Sequence, residues 1–181
     1  MRHRLWIAIT ALALMGCQTG GTPTPTMPVS PPPSSPTPSP SPTIEFTGDR
    51  LAAYQHVREY LDALYAWGQQ PTGDLSSVTV YVTDDAEDTT VEMMRELIES
   101  GSRVSGRPSY SSWKISHPEP APGGPLELGV TFCLDLNSVN SIDANGVERG
   151  LSRTSREKYQ LRKLSDNSWS IFKMDNEDSP C

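Results

Sequence analysis

Apolar residues first crowd together, then vanish, then recur with a helical period and finally with a strand period. Residues 5–15 are apolar except for Thr10, and residues 18–43 are almost wholly Pro, Thr, Ser and Gly. Leu51, Tyr54, Val57, Leu61 and Leu64 then follow one another at three- and four-residue spacing. That spacing predicts a helix with capping chemistry at Thr47, Gly48 and Asp49, ending near Gly68 with Pro71 beyond. Tyr60, Tyr65 and Trp67 add aromatic mass to its C-terminal half, so that end either sits deep in the core or lines a cavity. Tyr54, Tyr65 and Trp67 are the pocket candidates. Val78, Val80 and Val82 alternate as a short strand would and lead into an acidic turn, Asp84, Asp85, Glu87 and Asp88. The turn lacks the spacing, glycine and terminal Glu of an EF-hand, so it reads as a solvated loop rather than a calcium site. A second helix is expected after it, capped by Thr89 or Thr90, with Val91, Met94, Leu97 and Ile98 on one face and a stop at Gly101.

Beyond Gly101 the period becomes two. Leu126, Leu128, Val130, Phe132, Leu134 and Leu136 point one way, and Glu127, Gly129, Thr131, Cys133, Asp135 and Asn137 the other. Further strands are expected over 107–117, with Tyr110, Trp113 and Ile115 as apolar content, over 155–164 and over 168–174. A Pro/Gly-rich loop at 118–125, a tight turn at Asn145 and Gly146 and a two-residue hairpin loop at Asp166 and Asn167 connect them. Helices first and antiparallel strands afterwards is an α+β arrangement, with the helices covering one face of the sheet.

Composition narrows the setting. Without the first segments, about 138 residues from Ile44 onward remain, one domain's worth of sequence. The formal charge is −7, and losing Arg2 and Arg4 with a cleaved N-terminus leaves 13 basic against 22 acidic side chains, or −9. That balance argues against nucleic acid and against broad adhesion to anionic head groups, since both attract basic patches.

Arg2, His3 and Arg4 precede the apolar run, which is the layout of an exported protein's signal. A bilayer-spanning helix needs roughly 20 apolar residues, so this run is too short for a permanent anchor. Leu14, Met15, Gly16 and Cys17 resemble the lipobox of bacterial lipoproteins: a branched apolar residue, a tolerant position and a small residue before a cysteine. The resemblance implies a signal peptide at 1–16, cleavage before Cys17, and a diacylglyceryl group on its sulfur. Two acyl chains such as palmitate hold a protein stably where one is marginal. The alternative is an ordinary secreted protein with Cys17 an incidental thiol. Residues 17–43 then form the anchor and a proline-rich linker, which as polyproline II at about 3.1 Å per residue would reach on the order of 80 Å. The linker also permits O-glycosylation and, as an alternative, recognition by PxxP readers. The expected location is the extracytoplasmic side of the cell membrane.

With Cys17 assigned to lipid, Cys133 and Cys181 form an even pair in a compartment where disulfides persist. A bridge between them is expected to pin the C-terminal tail to the outer face of the sheet. The alternatives are two free thiols or a metal site, and the latter lacks the usual ligand spacing.

The single domain, 44–181, resembles the NTF2-like or cystatin-like fold in its element order. It is also similar to actinobacterial secreted lipoproteins of that type through Cys133-Leu134-Asp135 in a middle strand, Asn145-Gly146, Trp169 in the last strand and Cys181 at the end. The resemblance implies a curved antiparallel sheet around a conical pocket. Isomerases, hydrolases, ligand binders and assembly modules all use such folds, so fold alone does not decide function. Relatives that isomerise or dehydrate small molecules place Asp, His or Tyr in the pocket, which makes Asp135, Tyr54, Tyr65 and His56 the residues to weigh. Asp135 shares its face with Cys133, away from the core, and His56 and His117 read as peripheral. GxSxG and HExxH motifs are absent.

No catalytic residue, cofactor or metal ligand is therefore assigned, and two functions stand. The first is a lipid-anchored envelope lipoprotein presenting a non-catalytic binding or assembly domain, with the membrane as one partner and an envelope protein or small hydrophobic ligand as another. The second is a lipid-anchored enzyme of isomerase or hydrolase type acting on a small hydrophobic molecule. A buried ionisable residue on the concave side of the sheet would favour the second, and an apolar or collapsed pocket the first.

Overall fold

In chain order the elements are α1 (Gly48–Gln69), α2 (Ser76–Thr79), α3 (Asp84–Glu99), β1 (Arg103–Gly106), β2 (Ser109–Ser116), β3 (Glu127–Asp135), β4 (Val139–Ile142), β5 (Glu148–Gly150), β6 (Thr154–Lys163) and β7 (Trp169–Glu177). They belong to a computed structural model that describes residues 46–117, 124–177 and 181, within the unit Pro42–Cys181. The segments 1–16 and 17–43, Cys17, and most of the loop expected at 118–125 lie outside the described residues. Among the described residues no helix is long and apolar enough to cross a membrane.

The strands make two antiparallel sheets, one in the order β2-β3-β6-β7 and a smaller one in the order β1-β4-β5. β3 is central because its period-two pattern turns one side inward: Leu128, Val130 and Phe132 are fully inaccessible and Leu134 half-buried. Register carries that face into β6, where Leu161, Tyr159, Glu157 and Ser155 stand opposite Leu128, Val130, Phe132 and Leu134. α1 and α3 cover this inner face, so the α+β arrangement of helices on a curved sheet is the one observed.

Two bulges bend the sheet. Between Ser111 and Lys114 the pairing of β2 with β3 slips, and Ser112 takes a left-handed φ of 55°. The slip turns Trp113 inward, where its ring stacks on Phe132 at 4.6 Å. A second slip lies where β6 meets β7, next to Leu161.

Several expectations need correction. Residues 78–82 are not a strand: Val78 lies in the short helix α2, turns follow it, and Val82 comes after them, with Val78 and Val82 buried and Val80 72% exposed. After α2 the Tyr81 and Val82 amides donate three residues back, to Val78 O and Thr79 O, and the one sheet-like contact is the bridge from Val82 to Ile171. The acidic run is not a loop before α3 but its first turn, where Asp84, Asp85 and Glu87 meet the positive end of the helix dipole. Thr89 and Thr90 are accordingly mid-helix rather than caps, and Thr90 is buried. The buried stripe of α1 is rotated to Ala53, Val57, Tyr60, Leu61 and Trp67, leaving Leu51 38% exposed. α1 ends at Gln69, next to the expected Gly68, whose added Cβ would crowd the Val104 side chain. Gly101 closes α3 with a φ of 61°. Its N–H donates to Ile98 O and that of Ser102 to Leu97 O, at 3.0 and 3.1 Å. The hairpin between β6 and β7 closes over three residues, not two, with Asn167 left-handed at φ 67°. The small sheet was not foreseen beyond its turn at Asn145 and Gly146, where Asp143 accepts from the Asn145 and Val147 amides at 2.9 Å.

Candidate ligand pocket

Between the C-terminal half of α1 and the inner face of the sheet lies a pocket of about 440 Å³. Its roof is Tyr60, Leu61, Leu64, Tyr65 and Trp67 from α1, with Met93, Met94 and Leu97 from α3. Its floor is Tyr110, Leu134, Tyr159 and Glu157 on the sheet, with Met174 at the β7 edge. Val104 and Val139 of the small sheet, with Leu136 and Leu151, close the side. The volume falls in the range of sites that enclose a small organic molecule, and the wall is dominated by hydrocarbon and aromatic carbon.

The rings are coupled edge to face. Tyr159 meets Tyr60 at 6.0 Å and Phe132 at 5.2 Å, and Tyr110 meets Phe132 at 6.0 Å. Such contacts fix ring orientations and present both faces and edges to an occupant. Tyr60 shares a hydrogen bond of 2.9 Å with Thr90, which ties α1 to α3 above the pocket.

Glu157 is the one buried charged residue among those described and is 7% exposed. Period two forces it inward: it lies between Ser155 and Tyr159, both buried, on a strand whose other face is polar. The Ser155 hydroxyl donates to Glu157 Oε1 at 2.6 Å. Burial pushes the neighbouring phenols up, Tyr60 to about 12 and Tyr159 well above its ordinary value, and the Glu157 charge adds to both. Burial likewise raises Tyr110 to about 12, with Asp62 adding to it and Arg58 and Arg107 opposing. These phenols therefore stay protonated, able to donate a hydrogen bond at neutral pH. Among the described residues no three His, Cys, Asp or Glu side chains converge as a metal site requires.

Of the pocket candidates, Tyr65 and Trp67 line the pocket and Tyr54 does not. Tyr54 packs on Phe46 at 5.5 Å and on Trp113 at 4.9 Å. Eleven residues of helix, about 16 Å, separate it from Tyr65. Asp135 is outside as well and accepts from the Asn137 amide at 2.8 Å. His56 donates Nε2–H to the Tyr81 carbonyl at 3.0 Å, away from the pocket, and His117 is exposed. Cys133 and Cys181 are joined in a disulfide with a Cα–Cα distance of 5.7 Å. The bridge lies behind the sheet, with Cys133 paired opposite Ser111 and Arg156 on the outer face. Glu157, Tyr60, Tyr110 and Tyr159 were missed as site residues. The period of β6 was the available signal, since Tyr159 and Leu161 set the inward face and carry Glu157 with them.

No protein-family model matches the sequence, and no curated protein does either. Among solved structures the chain is similar to a ketosteroid isomerase-like protein from Erwinia carotovora atroseptica, with TM-score 0.50 and 17% identity over 72% of this chain and 96% of that one. The fold is ketosteroid isomerase-like, of the NTF2-like kind. The intermembrane space region of the chloroplast protein ARC6 aligns with TM-score 0.47 and 13% identity over 74% of this chain and 99% of that one. CagV, a VirB8 homolog from Helicobacter pylori, aligns with TM-score 0.42 and 10% identity over 68% of this chain and 98% of that one. The pocket lies on the face of the sheet that the helices cover.

Proposed function

We propose that this chain is a lipid-anchored lipoprotein of the cell envelope whose NTF2-like domain binds a small, largely apolar molecule in the pocket between α1, α3 and the sheet. The observation that carries the reading is the pocket itself: about 440 Å³ of space walled by leucine, methionine and tyrosine. Open apolar space of that size forgoes the burial a collapsed core would gain, at roughly 25 cal/mol per Å² of apolar surface, and an occupant recovers it. The lipobox at Leu14 to Cys17 supports the anchor, and the proline-rich segment after it supports a domain held away from the bilayer. Titration of the purified full chain carrying Cys17→Ser with an uncharged fluorophore such as Nile red tests the binding. Saturable enhancement that Leu136→Trp, a pocket-filling variant, removes without loss of the folded circular dichroism spectrum is the expected result. Separately, Cys17→Ala should release the domain from the membrane fraction or leave an uncleaved precursor.

A second reading, the enzyme, is favoured by Glu157. A buried carboxylate beside protonated phenols is the equipment for moving a proton next to a carbonyl, with Glu157 as base and Tyr159 as donor to the developing oxyanion. Exchange of the α-protons of a small apolar ketone in D2O, accelerated by the wild type and abolished in Glu157→Gln, would establish it. Absence of acceleration with intact ligand binding would leave the binding domain alone.

A further inference from the structure

Glu157 has more acceptor capacity than the fold uses. The residue is 7% exposed and lines the pocket, and among the described residues no Lys, Arg or His side chain pairs with it. The Ser155 hydroxyl occupies Oε1, and no described group donates to Oε2. A carboxylate with an open acceptor position in an apolar pocket favours a cationic or hydrogen-bond-donating partner over a purely apolar one. Two charged groups beside the aromatic wall have partners of their own. Arg58 lies over Tyr110 at 5.4 Å and pairs with Asp62 at 3.9 Å, and Asp175 at the β7 edge pairs with Lys173 at 3.6 Å.

The same pocket is lined by the rings of Tyr60, Tyr65, Trp67, Tyr110 and Tyr159. Aromatic faces attract cations, more strongly when desolvated, and a carboxylate among such rings adds a full opposite charge. The Tyr60 and Tyr110 phenols are protonated at neutral pH, so they contribute ring faces and hydroxyls rather than competing anions. An acidic chain, at −7, further concentrates cations around it.

We infer that the pocket takes a cationic ligand, an amine or quaternary ammonium on an apolar body, with the cation among the tyrosine rings at Glu157 and the apolar part along Leu134, Leu136 and Leu151. The inference rests on the pocket being a binding site and adds the charge class of its occupant.

Calorimetric titration of the full chain carrying Cys17→Ser with three probes of one chain length tests it: octyltrimethylammonium below its micellar concentration, octan-1-ol and octanoate. The ammonium should bind roughly tenfold or more tighter than the alcohol, and octanoate weakest of the three. Glu157→Gln should bring the ammonium down to about the affinity of the alcohol while leaving the alcohol within about twofold. Equal binding of ammonium and alcohol by the wild type would overturn the inference and leave the pocket reading standing, and tightest binding of octanoate would do the same. No binding of any probe would overturn both. The wild-type ranking needs no variant, so it decides the matter even if Glu157→Gln fails to fold.

Discussion

The two halves of α1 cover the same sheet with opposite results. Toward its N-terminus the helix closes on the sheet: Ala53 and Val57 join Leu128, Leu161 and Ile171 in the core, all fully buried. Lys163 to Asp49 at 2.8 Å, and Arg50 to the Ile115 carbonyl at 3.4 Å, fasten that end to β6 and β2. Toward its C-terminus Leu64, Tyr65, Leu134, Leu136 and Leu151 are only half-buried, and a pocket stands between them. Both ends carry aromatic residues, Tyr54 at one and Tyr60, Tyr65 and Trp67 at the other. What separates them is geometry: small residues bring the first half of the helix close, while the β1-β4-β5 sheet holds a wall beside the second half. The open end is also where Glu157, the one buried charged residue among those described, lies.

Truncation should show the contrast most strongly. Leu161→Ala or Ile171→Ala at the filled end is expected to cost about 2–5 kcal/mol in urea denaturation, because each leaves a cavity in a packed core. Leu151→Ala at the open end should cost less than about 1 kcal/mol, since its surroundings already border the pocket. Equal costs would break the comparison. Next in size is the disulfide. Replacing Cys133 and Cys181 by Ser frees a 48-residue loop, worth about 4 kcal/mol at most by chain entropy and expected at about 2–4 kcal/mol. Because the bridge lies on the outer face, ligand titration of that variant should match the wild type, and a lost pocket would show that the two faces are coupled.

A smaller effect is expected at Gly106, which has φ 84° and where a Cβ would collide with the Ser138 carbonyl oxygen. Gly106→Ala should destabilise by about 1–3 kcal/mol. It sits between Val104 and Pro108 and pairs with Val139, all of which line the pocket, so ligand affinity should fall with it, unlike in the disulfide variant. The smallest effect is a pH dependence outside the pocket. Burial lowers the pKa of His56 from its ordinary 6.5, with the Tyr81 carbonyl and Glu59 opposing. A depressed folded pKa means that the unfolded chain binds the extra proton. The contribution is therefore complete above about pH 6.5 and is lost as pH falls through the folded value. Urea midpoints at about pH 7.5 and about pH 5 should differ in that sense, and His56→Gln should reduce the difference.

The filled half was the more legible in the sequence. Leu128, Val130 and Phe132 announce an inward face by alternation alone, and the helical spacing of Val57 and Leu61 announces its cover. Aromatic mass at Tyr65 and Trp67 marked the roof of the open half. The floor was harder to read, because Glu157 looks like any surface residue until β6 is put in register with Phe132. Trp113 was placed in a strand without its bulge, though the three-residue step from Tyr110 breaks the period of two and marks the slip. The β1-β4-β5 sheet is built from strands of three and four residues, too short for periodicity to declare, and it supplies the pocket's side wall.

As proposed, the open half of α1 covers a ligand site. Chemical-shift mapping of the methyl groups of the full chain carrying Cys17→Ser, titrated with octyltrimethylammonium, tests it most directly. Saturable shifts should be confined to Leu64, Leu134, Leu136, Leu151 and Met174, with Leu128, Leu161 and Ile171 unmoved. Shifts spread evenly over both halves, or none at the pocket residues while the probe binds elsewhere, would contradict it.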